Sequence, residues 1–213
     1  EDKPVFNQRL TYNAVNNITQ SKLDNDLYEY EYDEIDQLTV AKGPKETERF
    51  YYDLAGNHLF DPGKKAKYSK NNALLSIPGQ TEYRYDPLGR PLTITSTEKE
   101  MELNWNSRSQ LRQARVNGKN IRYLYDPFGR RIGKVFEDGR REYYGYDRED
   151  IVAVYGQFGM IQHAYLHGSY IDEVLFSSTG AQKNYFVKDH LGSVHRTISG
   201  DGDIAGEYQY KAF

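Results

Sequence analysis

Asp189, His190, Ser193 and His195 lie within seven residues of one another and supply the three side-chain types of a serine hydrolase triad. A triad must bring its three side chains onto one proton path, and hydrolases take them from separate parts of the fold. A short strand-and-turn segment rarely achieves that convergence. We therefore interpret residues 189–193 as a stabilised turn, and we expect no enzymatic activity from them.

Two other groups have the side chains of a metal or acid–base site, but their spacing is unsuitable. On a strand, His163 and His167 would share one face about 13 Å apart at roughly 3.3 Å per residue, which is too far for one metal ion. Asp172 and Glu173 would point to opposite faces of a strand, which argues against a glycosidase pair. Recurring Asp residues could bind calcium, but a role in turns already accounts for them. We expect no metal and no cofactor.

The composition favours a sheet with at least one face in contact with water. The 213 residues include 20 Tyr, 9 Phe and 18 Gly, yet only 38% are hydrophobic. Tyr prefers strands, and its ring can be buried while its hydroxyl reaches water or a neighbour. A thick apolar core buried from both sides does not fit this balance.

Charge and targeting signals exclude several classes of function. The net charge is −3 and basic residues are mixed with acidic ones, so we expect no nucleic-acid partner. The absence of Cys excludes disulfides and thiolate metal sites but leaves the compartment open. No apolar run approaches the roughly 20 residues of a membrane helix. The first residues, Glu1 to Pro4, do not resemble a signal peptide, and the chain starts without Met, which indicates a fragment of a longer protein.

A repeat runs along almost the whole chain. Its frame is an aromatic residue, any residue, a second aromatic residue, Asp, two variable residues and often Gly, and it recurs mostly every 20 or 21 residues. Weaker copies contain Asn13 and the pair Tyr68-Ser69. The residues that carry the repeat are Tyr32, Asp33, Tyr52, Asp53, Gly56, Tyr85, Asp86, Pro87, Gly89, Trp105, Asn106, Tyr125, Asp126, Pro127, Gly129, Tyr146 and Asp147.

Each repeat predicts a strand that ends in a turn. Two aromatic residues separated by one position, such as Tyr83 and Tyr85, lie on the same face of a strand. In the Asp86-Pro87-Leu88-Gly89 segment, Asp accepts backbone hydrogen bonds, Pro sets φ and Gly takes the left-handed position. A second turn signal separates successive copies: Asn117-Gly118, Asp138-Gly139, Gly43-Pro44, Thr179-Gly180 and residues 200–202. Asn-Gly and Asp-Gly predict two-residue hairpin turns.

The predicted fold is all-β: a continuous antiparallel sheet of hairpins with aromatic ladders across it. Return strands such as PLTITST alternate with a period of two, and no segment has a helical stripe. Each hairpin would widen the sheet by about 9.6 Å. A sheet this wide must curve or spiral because its strands twist.

These motifs resemble the RHS/YD-repeat family of bacteria, which is also known from Tc toxin components and animal teneurins. Residues 1–155 are similar to generic YD repeats, and residues 156–213 resemble the final segment of an RHS core. Val174 replaces a common Pro, and residues 211–213 also depart mildly from the pattern. The residues that carry this terminal signature are Gly168, Ile171, Asp172, Glu173, Asp189, His190, Leu191, Gly192 and Ser193.

The resemblance implies a strongly curved or spiralling ribbon that forms part of a hollow shell around a C-terminal toxin or effector of the same polypeptide. Its partners would be that toxin domain and other RHS repeats, in a secreted, injected or cell-surface bacterial protein. Self-cleavage motifs of such proteins would follow Phe213, so we assign none here. The alternative is a surface adhesion or carbohydrate-binding module, in which exposed Tyr and Trp105 stack on glycans. Unpaired strand edges would also permit the fragment to associate edge to edge.

Overall fold

The computed structural model describes residues 6–59, 66–170 and 172–210. In those ranges the protein contains twenty β-strands and no helix, so no helix there is long and apolar enough to cross a membrane. The strands are β1 Gln8–Tyr12, β2 Ile18–Leu23, β3 Asp26–Tyr32, β4 Leu38–Lys42, β5 Thr47–Arg49, β6 Lys67–Tyr68, β7 Leu74–Ile77, β8 Thr81–Tyr85, β9 Pro91–Ser96, β10 Glu100–Trp105, β11 Leu111–Val116, β12 Lys119–Tyr125, β13 Arg131–Phe136, β14 Arg141–Asp147, β15 Asp150–Gly156, β16 Ile161–His167, β17 Val174–Thr179, β18 Gln182–Lys188, β19 Val194–Ser199 and β20 Ile204–Glu207.

The strands form two antiparallel sheets in which each strand lies beside its neighbours in the sequence. One sheet has five strands in the order β1 to β5, and the other has fifteen in the order β6 to β20. The all-β, antiparallel prediction is confirmed. The described strands make two sheets and not one continuous sheet. In the sequence between β5 and β6, an isolated bridge joins Tyr52 to His58.

The described chain forms two compact units. One comprises residues 6–59, 66–78 and 209–210, and the other comprises residues 79–208. The predicted division after residue 155 concerns the type of repeat and stays a prediction.

Burial is shallow, as the composition indicates. The most buried side chains are small, including Ala114 at 2% exposure, and none of the large side chains described is fully buried. Most strand side chains, including the repeat tyrosines, are therefore only half-buried.

Candidate functional site: the repeat turns and their hydrogen bonds

The turn that begins at Asp86 shows why each repeat needs its residues. The backbone N–H of Asp86 donates to the carbonyl of Arg90 at 2.9 Å, and the N–H of Gly89 donates back to the carbonyl of Asp86 at 3.0 Å. The Asp86 carboxylate accepts the N–H groups of Leu88 and Arg90 at 2.9 and 3.0 Å. Pro87 sets φ at the second position, and Gly89 has φ +79°. The predicted role of each residue is present in this turn.

The same backbone pattern recurs along one edge of each sheet. The turns begin at Asn13, Asp33, Asp53, Ser69, Asp86, Asn106, Asp126 and Asp189. In each turn the fourth residue has positive φ: Asn16, Asp36, Gly56, Asn72, Gly89, Ser109, Gly129 and Gly192. Gly occupies four of these positions, and Asn or Asp, which also tolerate the left-handed region, occupies three; Ser109 takes the remaining one. The degenerate copy at Ser69 thus folds as a complete repeat.

Two turns have a different length from the one that their sequence predicts. Asp147 lies at the end of β14 and pairs with Asp150, so a two-residue loop reverses the chain, with Arg148 at φ +54°. The Asp138-Gly139 pair was predicted to form a two-residue turn, and that prediction is wrong. Its turn begins at Phe136, whose N–H donates to the carbonyl of Arg140, and it resembles the repeat turns. Asn117-Gly118 does form the predicted two-residue turn, with positive φ at both residues.

Arginine four residues after Asp holds two of the turn carboxylates ionised. Arg90 contacts Asp86 at 2.6 Å, and Arg130 contacts Asp126 at 2.8 Å. Burial, the largest single influence, acts to raise the pKa of Asp86 and of Asp126. Hydrogen bonds from the backbone and guanidinium of the following arginine together outweigh burial, so both pKa values lie below the usual range.

Side chains at the same position also join one turn to the next. The Arg90 guanidinium donates to the carbonyl of Asn106 at 3.1 Å, and Gln110 donates to the carbonyl of Gly129 at 3.2 Å. Arg130 continues the series by donating to the carbonyl of Arg148 at 2.9 Å. In the five-stranded sheet, Asn17 donates to the carboxylate of Asp36 at 2.7 Å. These contacts link neighbouring repeats along the turn edge.

A second link between repeats starts from the second aromatic residue of each copy. The hydroxyl of Tyr125 donates to the carbonyl of Leu111 at 2.9 Å, and Leu111 pairs with Trp105 of the preceding repeat. The Trp105 indole N–H in turn donates to the carbonyl of Pro91 at 2.8 Å, and Pro91 pairs with Tyr85. The strand register shifts at both pairs, which frees the carbonyl from the regular ladder.

We call this series the aromatic–carbonyl ladder. Its donors include Tyr32, Tyr52, Tyr68, Trp105, Tyr125, Tyr146 and His167, which reach the carbonyls of Ile18, Leu38, His58, Pro91, Leu111, Arg131 and Ile151, respectively. Donor and acceptor are 14 residues apart in four of the seven cases. The sequence shows this spacing but not the register shift that exposes the acceptor, so sequence analysis missed the ladder.

Burial raises the pKa of the ladder tyrosines above that of a free tyrosine. It is the largest influence at Tyr32, Tyr52, Tyr68, Tyr125 and Tyr146. The neutral hydroxyl is therefore the favoured state, and that state donates the hydrogen bond.

His167 takes the place of the second aromatic residue in the terminal segment. Its Nε2 lies 2.9 Å from the carbonyl of Ile151 and must carry the proton, because a carbonyl only accepts. Its Nδ1 is buried, has no hydrogen-bond partner in the described part of the chain and lies 3.5 Å from the Asp150 carboxylate. His163, on the same strand, contacts the hydroxyl of Thr179 at 2.8 Å. The two imidazoles therefore have separate partners.

The acidic pair of the terminal signature lies in a turn and not on a strand, contrary to prediction. The segment between β16 and β17 is closed by the Gly168 N–H, which donates to the carbonyl of Glu173 at 2.8 Å. The Glu173 carboxylate accepts the N–H of Tyr170 at 3.2 Å, and Asp172 has φ +59°. Ile171 lies outside the described residues.

Asp189, His190 and Ser193, considered for a hydrolase triad, belong to a repeat turn, whereas His195 lies on β19. The Asp189 carboxylate accepts the N–H groups of Leu191 and Ser193, both at 2.9 Å, and Gly192 has φ +83°. His190 lies inside this turn. The geometry is that of the Asp86 turn, which supports the structural interpretation of this segment.

Comparison with known proteins places these features in a family. The family model described as "Teneurin YD-shell" matches residues 1–213. Teneurin-4 of Mus musculus is 27% identical, and the match covers 87% of this chain and 7% of teneurin-4. "Probable deoxyribonuclease RhsB" of Dickeya dadantii (strain 3937) is 26% identical, and the match covers 89% of this chain and 13% of RhsB. The chain therefore spans a small part of each relative.

Solved Tc toxin structures also match nearly the whole chain. A Photorhabdus luminescens Tc holotoxin pore is 15% identical with a TM-score of 0.40, over 96% of this chain and 15% of the toxin chain. The TcdB2–TccC3–TEV structure is 15% identical with a TM-score of 0.42, over the same shares of the two chains. The match of the family model over the full 213 residues shows that the chain belongs to the Teneurin YD-shell family.

Proposed function

We propose that this chain is part of the wall of a YD-repeat shell that encloses a toxin or effector carried by the same polypeptide. The observation that carries the proposal is the aromatic–carbonyl ladder, which ties each repeat to the one before it. Each link at Tyr125 or Trp105 adds a side-chain hydrogen bond to the strand pairing. The turn contacts of Arg90 and Gln110 add another link at the strand ends. Two series of side-chain contacts near the repeat turns therefore reinforce the strand pairing between neighbouring repeats.

A wall segment has no need of catalytic groups, and we propose that this one has none. Asp189 and its neighbours are engaged in a turn, and Asp172 and Glu173 lie in another. One relative, RhsB, is named a deoxyribonuclease, and the matched region covers 13% of it. We infer that such an activity resides in the part of the polypeptide outside the YD repeats.

The remaining assignments follow from the shell. We propose residues 1–155 as YD repeats and residues 156–213 as the terminal RHS-core segment, with other repeats and the toxin domain as partners. A secreted, injected or cell-surface location fits such a role. Glycan stacking on Trp105 is less well supported, because its indole is half-buried and donates to Pro91.

Protease protection in the full-length polypeptide tests the enclosure. Added protease should leave the C-terminal region intact while the shell is folded, and the same region expressed alone should be digested. Circular dichroism must show that the shell remains folded during the digestion. Equal digestion of the C-terminal region in both settings would overturn the proposal.

A further inference from the structure

Two successive turns of the fifteen-stranded sheet, at the edge opposite the repeat turns, form an open cleft. Its volume is about 280 Å³, and its lining includes Phe136, Arg141, Phe158 and Met160. Phe158 is 85% exposed and Met160 is 75% exposed. Single exposed apolar residues are common, but adjacent ones beside a cleft mark a binding surface.

The turn geometry holds Phe158 in the solvent. The N–H of Gly156 donates to the carbonyl of Met160 at 2.9 Å, and the N–H of Gly159 donates to the carbonyl of Gly156 at 2.9 Å. Gly159 takes φ +77°, which completes a tight turn with Phe158 at its third position. A Cβ on Gly156 would lie 2.8 Å from Gln162, so glycine lets Gln162 pack against the strand. The hydrogen-bonded turn at residues 156–160 therefore holds the Phe158 ring in contact with solvent.

The other wall of the cleft is aromatic and cationic. The Arg140 guanidinium lies 4.6 Å from the centre of the Phe136 ring, and the Lys134 ammonium lies 5.3 Å from it. These contacts hold the Phe136 ring in place.

The carboxylates near the cleft already have cationic partners, whereas one guanidinium has no carboxylate partner within residues 6–59, 66–170 and 172–210. Glu142 pairs with Lys134 at 2.8 Å, and Asp138 pairs with Arg140 at 2.8 Å on the same turn. Arg141 is exposed and forms no ion pair with any of the residues that the structure describes. A carboxylate brought by a partner would therefore find an unpaired guanidinium beside an apolar wall.

We propose that this cleft binds an acidic peptide segment, with an apolar side chain between Phe158 and Met160 and a carboxylate on Arg141. The apolar wall favours a peptide over a small anion, because an anion alone would leave both side chains exposed to water. The proposal does not depend on the enclosure of a toxin.

Fluorescence anisotropy with two labelled peptides of equal length tests the proposal, one alternating Glu with Leu and the other alternating Lys with Leu. The Glu peptide should bind about tenfold more tightly than the Lys peptide, and Phe158→Ser should weaken its binding about tenfold. Arg141→Glu should reverse the preference between the peptides. Phe158 and Arg141 are both exposed, so circular dichroism should show an unchanged fold for the two variants.

Leu88→Ser is the matched control, because Leu88 is 74% exposed at the corresponding position of a repeat turn on the opposite edge. It should leave the binding of the Glu peptide unchanged. Equal affinity for the two peptides, absence of binding by the unmodified protein, or the same loss in Leu88→Ser as in Phe158→Ser would each overturn the proposal.

Discussion

Replacing Tyr125 by Phe removes one link of the aromatic–carbonyl ladder and little else. The ring remains in its half-buried position, and only the hydroxyl that donates to Leu111 is lost. Tyr123 offers a matched control on the same strand and the same face. Its ring lies 5.6 Å from the guanidinium of Arg131, and its hydroxyl forms no hydrogen bond within the described ranges. Tyr123→Phe therefore removes a hydroxyl without breaking a link.

The expected loss at Tyr125 follows from the carbonyl that is left behind. A neutral hydrogen bond contributes about 1 kcal/mol net, and an unsatisfied, partly buried acceptor raises the cost of its removal to about 1–2 kcal/mol. For a chain of this length each kcal/mol corresponds to roughly 2–4 °C in Tm, so Tyr125→Phe should lower Tm by about 2–8 °C. Tyr123→Phe should change the free energy of unfolding by less than about 0.5 kcal/mol.

Urea denaturation followed by circular dichroism measures both variants against the unmodified chain. Hydrogen exchange at the amides of β11 and β12 should also quicken in Tyr125→Phe, since the broken link joins those repeats. Equal destabilisation by the two substitutions would mean that the ladder hydrogen bond adds nothing beyond ring packing, and the account of the ladder would then be wrong.

Three further outcomes follow from the turns and the ladder. The pKa of the ladder tyrosines is raised, so their contribution to stability is complete below pH 10.0 and is lost as the pH rises through their pKa values in the folded protein. Tyrosinate absorbance and circular dichroism should then change together. Ionisation of these tyrosines without unfolding would contradict the prediction. The pKa of Asp86 is lowered, so its contribution to stability is present above the usual pKa of 3.8 and is lost as the pH falls through its lowered pKa. Asp86→Asn should therefore weaken the dependence of the free energy of unfolding on acid pH. An unchanged dependence would exclude the Asp86 turn as a source of the acid sensitivity. Gly129→Ala should cost about 1–2 kcal/mol, because φ there is +96°. Gly200→Ala is the control for the loss of a glycine, because Gly200 has ordinary φ and an added Cβ would meet Lys183 no closer than 3.4 Å. Equal effects of the two substitutions would refute the backbone explanation.

The parts of the fold that were predictable depend on short stretches of sequence. Asp86, Pro87 and Gly89 specify a turn by their own chemistry, and the alternation in β9 specifies a strand. The register shift at Leu111 depends on how two strands pair, which no single segment determines. The aromatic–carbonyl ladder therefore could not be predicted from the sequence of any one strand.

Other differences between the prediction and the structure arise where the same residue type can adopt two different roles. The Asp138-Gly139 pair predicts a two-residue turn, but in the structure Gly139 is the fourth residue of a turn that begins at Phe136. His167 was considered as a metal ligand because imidazole suggests coordination. In the structure it donates to Ile151 as a tyrosine does in other repeats, so its position in the repeat predicts its role better than its side-chain type.

The ladder has a consequence for how proteins of this kind can change in size. Each link joins one repeat to the preceding one through the same pair of groups, and each period contributes two strands. Deleting or duplicating one whole period would preserve strand direction, the face that each ring occupies and the partner of every hydroxyl. The number of repeats is thus a quantity that gene duplication can adjust in whole steps, whereas the loss of a single strand would turn every later aromatic residue to the wrong edge.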